Sequence, residues 1–293
     1  MQDFFNISQN KIGLKGVFVK YYTDMAFERF NFYFKADDTE KINNIIERVF
    51  VNIDSEEKIR YFGKPKGEYI CFNISSELTF SVFRQLAYCI SNEVKKLLTV
   101  VNDDLKVFIV GLGNKSIVCD SLGSLVCDNV IVNSSNKINK NLVSTFCPNV
   151  EGKTGVDSFS LVKETLKQVG ANALIMVDSF YALNVSRLGR SFQLSNGGLQ
   201  LKNNEFTQEK LGVPVIVLGC PFAIKVETVV SKVLDELLSS KKNIKMHLEN
   251  LKGEDNIITL LDLNDKIHTA AKLIATSINM AIFDLEFEDV FIP

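Results

Sequence analysis

Three short apolar runs constrain this chain more than any other feature. KVFIVGL (106–112), ANALIMVD (171–178) and VPVIVLG (213–219) are nearly uninterrupted, yet each is far too short to cross a membrane. Helix-like segments such as FSLVKETLKQVG (159–170) separate them. A strand buried on both faces reads this way, because helices laid over a parallel sheet leave neither face to water. The expected fold is α/β: a mostly parallel sheet flanked by helices, a phosphorylase/hydrolase-like sandwich with an N-terminal α+β extension.

Across residues 1–100, which include most of that extension (25–105), the stretch GEYICFNIS (67–75) has strand-like β-branched and aromatic content, as do KGVFVKYY (15–22) and FNFYF (30–34). TEKINNIIERVF (39–50) and FSVFRQLAYCISNEVKKLL (80–98) carry helical spacing. Residues 106–293 read as the catalytic α/β core of a single domain spanning 1–293. After VPVIVLG come a helix beginning VETVVSKVLDELL, a charged loop to Asn256 and a last helix over 262–283. Its apolar positions Ile267, Ala270, Ala271, Ile274, Ile278 and Ala281 make one stripe for packing.

Composition narrows the function classes. Lys and Arg number 33 against 35 Asp and Glu, a net charge of −2, so no basic field recruits nucleic acid or an anionic membrane. The six cysteines are scattered without a CxxC pair and read as reduced thiols of an intracellular protein. His247 and His268 lie apart from any cysteine cluster, which argues against a zinc site. MQDFFNISQNK has an early acid and no long apolar run, unlike a secretory signal. No cofactor and no metal is expected, although two aspartates could serve as oxygen ligands in a metal-dependent hydrolase.

Those aspartates are Asp120 and Asp178. Asp178 stands where an apolar strand stops, and Asp120 lies just beyond the strand ending near Leu112. In open parallel sheets chemistry collects beyond the carboxyl ends of the strands. Two carboxyls in one crevice cannot both ionise easily, so one pKa rises and the pair can serve as base and acid toward water. The same residues read alternatively as a helix cap and an ordinary strand end. Other motifs are weaker. GLGNKS (111–116) lacks the third glycine of a dinucleotide fingerprint, GKT (152–154) lacks the upstream glycine of a phosphate loop, and Cys119 has no histidine base at a strand end.

Five blocks in register carry a resemblance. VGLGNKSIVCDSLGS (110–124), CPNVEGKTGVDSFSLV (147–162), IMVDSFYA (175–182), RSFQLSNGGLQ (190–200) and LGVPVIVLGCPFAIKVET (211–228) resemble, in order, the signature segments of the germination protease family. These are spore endopeptidases that degrade small acid-soluble spore proteins, and their fold is similar to that of hydrogenase-maturation endopeptidases. The resemblance implies that Asp120 and Asp178 are the catalytic pair. It also implies a cytoplasmic place in the spore core or forespore, small acid-soluble spore proteins as partners, and a homo-oligomer, a tetramer in the family. Backbone N–H groups of Gly111, Gly113 and Asn114 are then candidates for holding the oxyanion.

The chain also departs from the family pattern. Val118-Cys119 replaces Thr-Pro before the first aspartate, Ser124 replaces a proline, and Asn196 and Gln200 stand for Asp and His. The PGSG glycines are missing. A catalytically silent relative that binds spore protein is the alternative these changes leave open. The family also removes a short leader by cutting itself after an acid followed by apolar-Ala-x-Glu. Asp24-Met25-Ala26-Phe27-Glu28 fits that pattern, which makes residues 1–24 a candidate propeptide and Asp24–Met25 its cleavage site.

Overall fold

Each of the three apolar runs forms a strand. The computed structural model describes residues 22–29, 34–101, 104–133, 141–201, 204–238 and 256–291. Along the chain come β1 (Asp38–Lys41), β2 (Ile46–Ile53), α1 (Glu56–Phe62), β3 (Gly67–Ile74), α2 (Phe80–Leu98) and β4 (Lys106–Gly111). Then follow α3 (Leu122–Asn129), β5 (Leu142–Phe146), α4 (Glu151–Thr154), α5 (Ser158–Val169), β6 (Ala173–Tyr181) and β7 (Ser191–Ser195). The hairpin β8 (Leu199–Leu201) and β9 (Asn204–Phe206) leads to α6 (Gln208–Leu211) and β10 (Val215–Lys225). The last helices are α7 (Val226–Leu238), α8 (Leu263–Phe283) and α9 (Phe287–Val290).

The chain divides into two units, one of Thr23–Ile224 with Thr259–Pro293, the other of Met1–Tyr22 with Lys225–Ile258. In the smaller unit the Val226 N–H donates to the Asn256 carbonyl at 3.0 Å, and the Lys225 ammonium lies 4.1 Å from the Tyr22 ring centroid. The larger unit holds a sheet in the order β1-β2-β3-β7-β10-β6-β4-β5. Strands β5, β4, β6 and β10 run parallel to one another, giving the expected parallel core. From β10 outward through β7, β3, β2 and β1 the pairing is antiparallel, so the N-terminal portion continues the same sheet as a wing.

Helices cover both faces. On one, α2, α3 and α8 pack Leu86, Ile90, Val126, Ile274 and Ile278 against Ile109, Ile175 and Leu218. On the other, Val162 and Leu166 of α5 and Phe62 of α1 meet Phe108, Met176 and Val217. Burial from both sides is why β10 is buried at every position but its last.

Helices α2 and α8 form where their spacing predicts, and all six stripe residues of α8 are buried. The segment 39–50 does not form the expected helix. It is a hairpin, because the Asn43 side chain accepts from the Ile45 and Ile46 N–H groups at 2.7 Å each and turns the chain. The alternation Val49, Val51, Ile53 then puts one face of β2 inward. KGVFVKYY and FNFYF fall almost wholly outside the described residues, as does the charged loop before Asn256.

Helix α3 reaches the sheet through Gly123. A Cβ there would stand 2.5 Å from the Leu112 nitrogen and 2.6 Å from the Val177 oxygen, both backbone atoms. Gly123→Ala must push α3 off the β4–β6 edge and is expected to lower stability by about 1–3 kcal/mol. Thermal unfolding of the variant measures this, and an unchanged melting temperature would contradict the close approach.

Candidate active site

The pairing of β4 with β6 brings the candidate acids together. Gly111 is the register partner of Val177, and the Leu112 N–H continues the ladder to the Val177 carbonyl at 2.8 Å. Asp178 follows at once on β6, while the chain leaving β4 turns through Gly113 and Asn114 to a 3-10 turn at Val118–Asp120. Further across the sheet, Gly219 of β10 pairs with Asp178 on one side and with Gln193 of β7 on the other. Residues opposite one another in a sheet project from the same face. Asp178 and Gln193 therefore share a face, separated by a strand position that has no side chain.

The turn after β4 is shaped around Asp120. The Asn114 N–H donates to Asp120 Oδ2 at 2.7 Å, and the Asn114 side chain accepts from the Ser116 N–H at 3.0 Å. Gly113 has φ +96°, and a Cβ there would stand 2.1 Å from the Asp120 carbonyl oxygen. Glycine is needed here for both reasons. Of the amides considered for an oxyanion, that of Asn114 is engaged by Asp120.

Both carboxyls bind protons more tightly than an ordinary aspartate. Burial raises the Asp120 pKa, opposed by the Asn114 N–H. Burial also lifts Asp178 well above the usual range, helped by the charges of Asp120 and then Asp24 and opposed by the Ser179 N–H at 2.9 Å. Like charges on neighbouring carboxyls disfavour double ionisation, so the stronger shift assigns the retained proton to Asp178 and the charge to Asp120. Cys119 is a poor nucleophile in this setting, since burial and then the Asp120 charge raise its pKa.

The third acid near Asp178 belongs to the candidate cleavage segment. The Asp24 N–H donates to the Tyr181 carbonyl at 2.9 Å, and the Tyr181 N–H returns a bond to Asp24 Oδ2 at 2.8 Å. Met25 and Ala26 are completely buried on the face that also carries Met176 and Phe180. Gln193, 5% exposed, donates from Nε2 to the Asp24 carbonyl at 3.0 Å and accepts at Oε1 from the Ala26 N–H at 2.8 Å. Glu28 Oε2 accepts from the Leu183 N–H at 2.7 Å, and the Arg187 guanidinium lies 4.9 Å from the Phe27 ring centroid. Lys64 is close to the Asp24 charge: burial lowers its pKa, Asp24 opposes that shift and Arg29 adds to it.

The structure thus gathers Asp120, Asp178, Asp24 and Met25 at one end of the sheet, with the Gly111–Asn114 turn beneath Asp120. Gln193, Lys64 and Tyr181 were not singled out from the sequence. The signal for Gln193 was its place as a lone amide within the buried strand SFQLS. Of the departures from the family pattern, Asn196 caps the start of β3 by accepting from the Glu68 N–H at 2.7 Å, and Gln200 lies in the β8–β9 hairpin. Among the described residues no group of three or more His, Cys, Asp or Glu is arranged to hold a metal ion, and no helix is long and apolar enough to cross a membrane.

Residues 30–252 match the family model described as germination protease. The germination protease of Clostridium perfringens is 25% identical over 270 residues, covering 79% of this chain and 83% of its own. That of Caldanaerobacter subterraneus subsp. tengcongensis is 26% identical over 270 residues with the same coverage. That of Priestia megaterium is 27% identical over 202 residues, covering 63% of this chain and 55% of its own. Among solved structures, a NiFe hydrogenase maturation protease from Thermococcus kodakarensis aligns with a TM-score of 0.35 and 11% identity, over 64% of this chain and 98% of its own.

The raised pKa of Asp178 predicts a pH signature in stability. Between the ordinary aspartate pKa and the raised one, the folded state holds the proton that the unfolded state has lost, so stability falls as pH rises through that interval. Asp178→Asn removes the titration. Its stability curve is expected to be flatter there and to lie closer to, or above, the wild type at neutral pH. Denaturant midpoints across pH measure this, and curves that stay parallel would contradict the assignment.

Proposed function

Because this chain belongs to the germination protease family, we propose that it is an endopeptidase of spore germination whose substrates are small acid-soluble spore proteins and whose water is activated by Asp120 and Asp178. One observation carries the reading: the Asp178 carboxyl on β6 and the Asp120 carboxyl in the turn after β4 lie close enough to influence one another's charge, beside a buried chain segment of acid-apolar-Ala-x-Glu type. The family name supports peptide-bond hydrolysis in spore germination. The stronger upward pKa shift of Asp178 supports the division of labour within the pair.

In that division, ionised Asp120 takes a proton from water as the water oxygen attacks the carbonyl carbon of the scissile bond. Protonated Asp178 gives its proton to the departing amide nitrogen as the carbon–nitrogen bond breaks. A carboxyl and an amine result, and the proton gained by Asp120 restores the starting state when it passes to Asp178. The shifts suit these roles, because the base stays the more acidic of the two groups and the acid keeps its proton at higher pH.

The same chemistry acts on the chain itself at Asp24–Met25 to remove residues 1–24. Asp24 is bonded to Tyr181, three residues beyond Asp178 on the same strand, which supports an intramolecular cut. The proximity of Lys64 to the Asp24 carboxylate supports a preference for an acid before the scissile bond.

Incubation of the purified protein with a small acid-soluble spore protein is expected to give discrete fragments. Asp120→Asn and Asp178→Asn should each slow their formation by about 100-fold or more while remaining folded. Intact substrate held in a stoichiometric complex would instead favour a catalytically silent relative. Self-processing is read separately by intact mass: mildly acidic incubation should yield a chain beginning at Met25, and both aspartate variants should stay full length. The same cut persisting in both variants would assign it to another protease.

A further inference from the structure

The clearest unassigned group at this site is the Gln193 side chain. It is buried inside β7, yet both ends of its amide leave the sheet and bond the backbone of residues 24–26. The two contacts flank Met25, one on the carbonyl of the Asp24–Met25 peptide and the other on the N–H of the Met25–Ala26 peptide. Nε2 donates to the Asp24 carbonyl oxygen at 3.0 Å, and Oε1 accepts from the Ala26 N–H at 2.8 Å. Backbone chemistry fixes this orientation of the amide, since a carbonyl can only accept and an N–H can only donate. Gln193 is also aligned with Asp178 across Gly219, whose missing side chain leaves that position to the Phe180 ring; a Cβ there would lie 2.2 Å from the ring.

We propose that Gln193 is the carbonyl-polarising residue of this protease, gripping the chain on both sides of the scissile bond and donating from Nε2 to the oxygen that becomes the oxyanion. This rests on the reading of Asp24–Met25 as a cleavage site. Attack by water turns the Asp24 carbonyl oxygen into a negatively charged one, and a donor already in place strengthens its bond as that charge grows. The Asn114 amide, another candidate donor, is taken by Asp120. The Ala26 contact sets the register, so that a chain bound through Gln193 presents one particular carbonyl to the carboxyl pair. The short side chain wanted at the second position after the cut follows from the same contact, since Ala26 is completely buried where its N–H meets Gln193.

Two variants of similar length test the assignment. Gln193→Met removes both bonds, whereas Gln193→Glu, when ionised, keeps the acceptor for the Ala26 N–H and loses the donor. Each is assayed for self-cleavage by intact mass and, as processed protein, for kcat and KM on a small acid-soluble spore protein. Thermal melting checks the fold. Gln193→Glu is expected to lose about 100-fold in kcat with KM within a few-fold of wild type, since an oxyanion donor acts mainly on the transition state. Gln193→Met is expected to lose kcat, raise KM and scatter the cut away from Met25. A folded Gln193→Glu protein with kcat within twofold of wild type overturns the proposal, as does a raised KM with kcat retained, which would make Gln193 an anchor only. Failure of the wild type to cut itself while it cuts spore protein would remove the internal site but leave the kcat comparison decisive. Wild-type protein that cuts neither would overturn both readings together.

Discussion

A carboxyl group at the end of a buried strand is tolerated by keeping its proton, accepting hydrogen bonds or finding an opposite charge. Burial makes Asp178 hold its proton more tightly than an ordinary aspartate, and the neighbours that add to this are themselves acids, Asp120 and Asp24. Much of the local architecture serves that arrangement. Gly113 lets the chain turn close against Asp120, and Gly123 lets α3 settle on the ends of β4 and β6. The parallel pairing of β4 with β6 ends with the Leu112 to Val177 bond; Asp178 follows at once on β6, and Asp120 follows through the turn after β4. Placing two carboxyls where water is scarce destabilises the folded state at neutral pH. In the proposed mechanism the same arrangement supplies one base and one acid for a single water.

The acids were legible in the sequence because Asp178 stands where an apolar run stops and Asp120 lies just beyond another, and a parallel sheet collects such positions at one edge. The helices α2 and α8 were legible because long amphipathic spacing has few competing readings. The segment 39–50 was not, since its apolar residues fit helical spacing as well as strand alternation, and the deciding interaction is the local Asn43 side-chain turn. Nor was the antiparallel wing legible: pairing of β3 with β7 joins residues more than a hundred positions apart, and strand composition does not name the partner.

The motif at Asp24 could be read as a pattern but not located. Its docking depends on backbone bonds to Tyr181 and on Gln193, contacts 157 to 169 residues away in the chain. Once located, the motif's letters acquire physical causes. The acid lies near Lys64, the apolar residue and the alanine fill completely buried space, and the closing glutamate accepts the Leu183 N–H.

The central claim is that Asp120 and Asp178 share one proton, with Asp178 its holder. Protein labelled with carbon-13 at the aspartate carboxyls allows each group to be titrated by NMR and assigned through Asp120→Asn and Asp178→Asn. The account predicts one carboxyl that stays protonated well above the ordinary aspartate range, disappears in Asp178→Asn, and titrates at lower pH in Asp120→Asn, where the neighbouring charge is gone. If every aspartate titrates in the ordinary range, or if Asp178 is unmoved when Asp120 is neutralised, the pair does not exist as described.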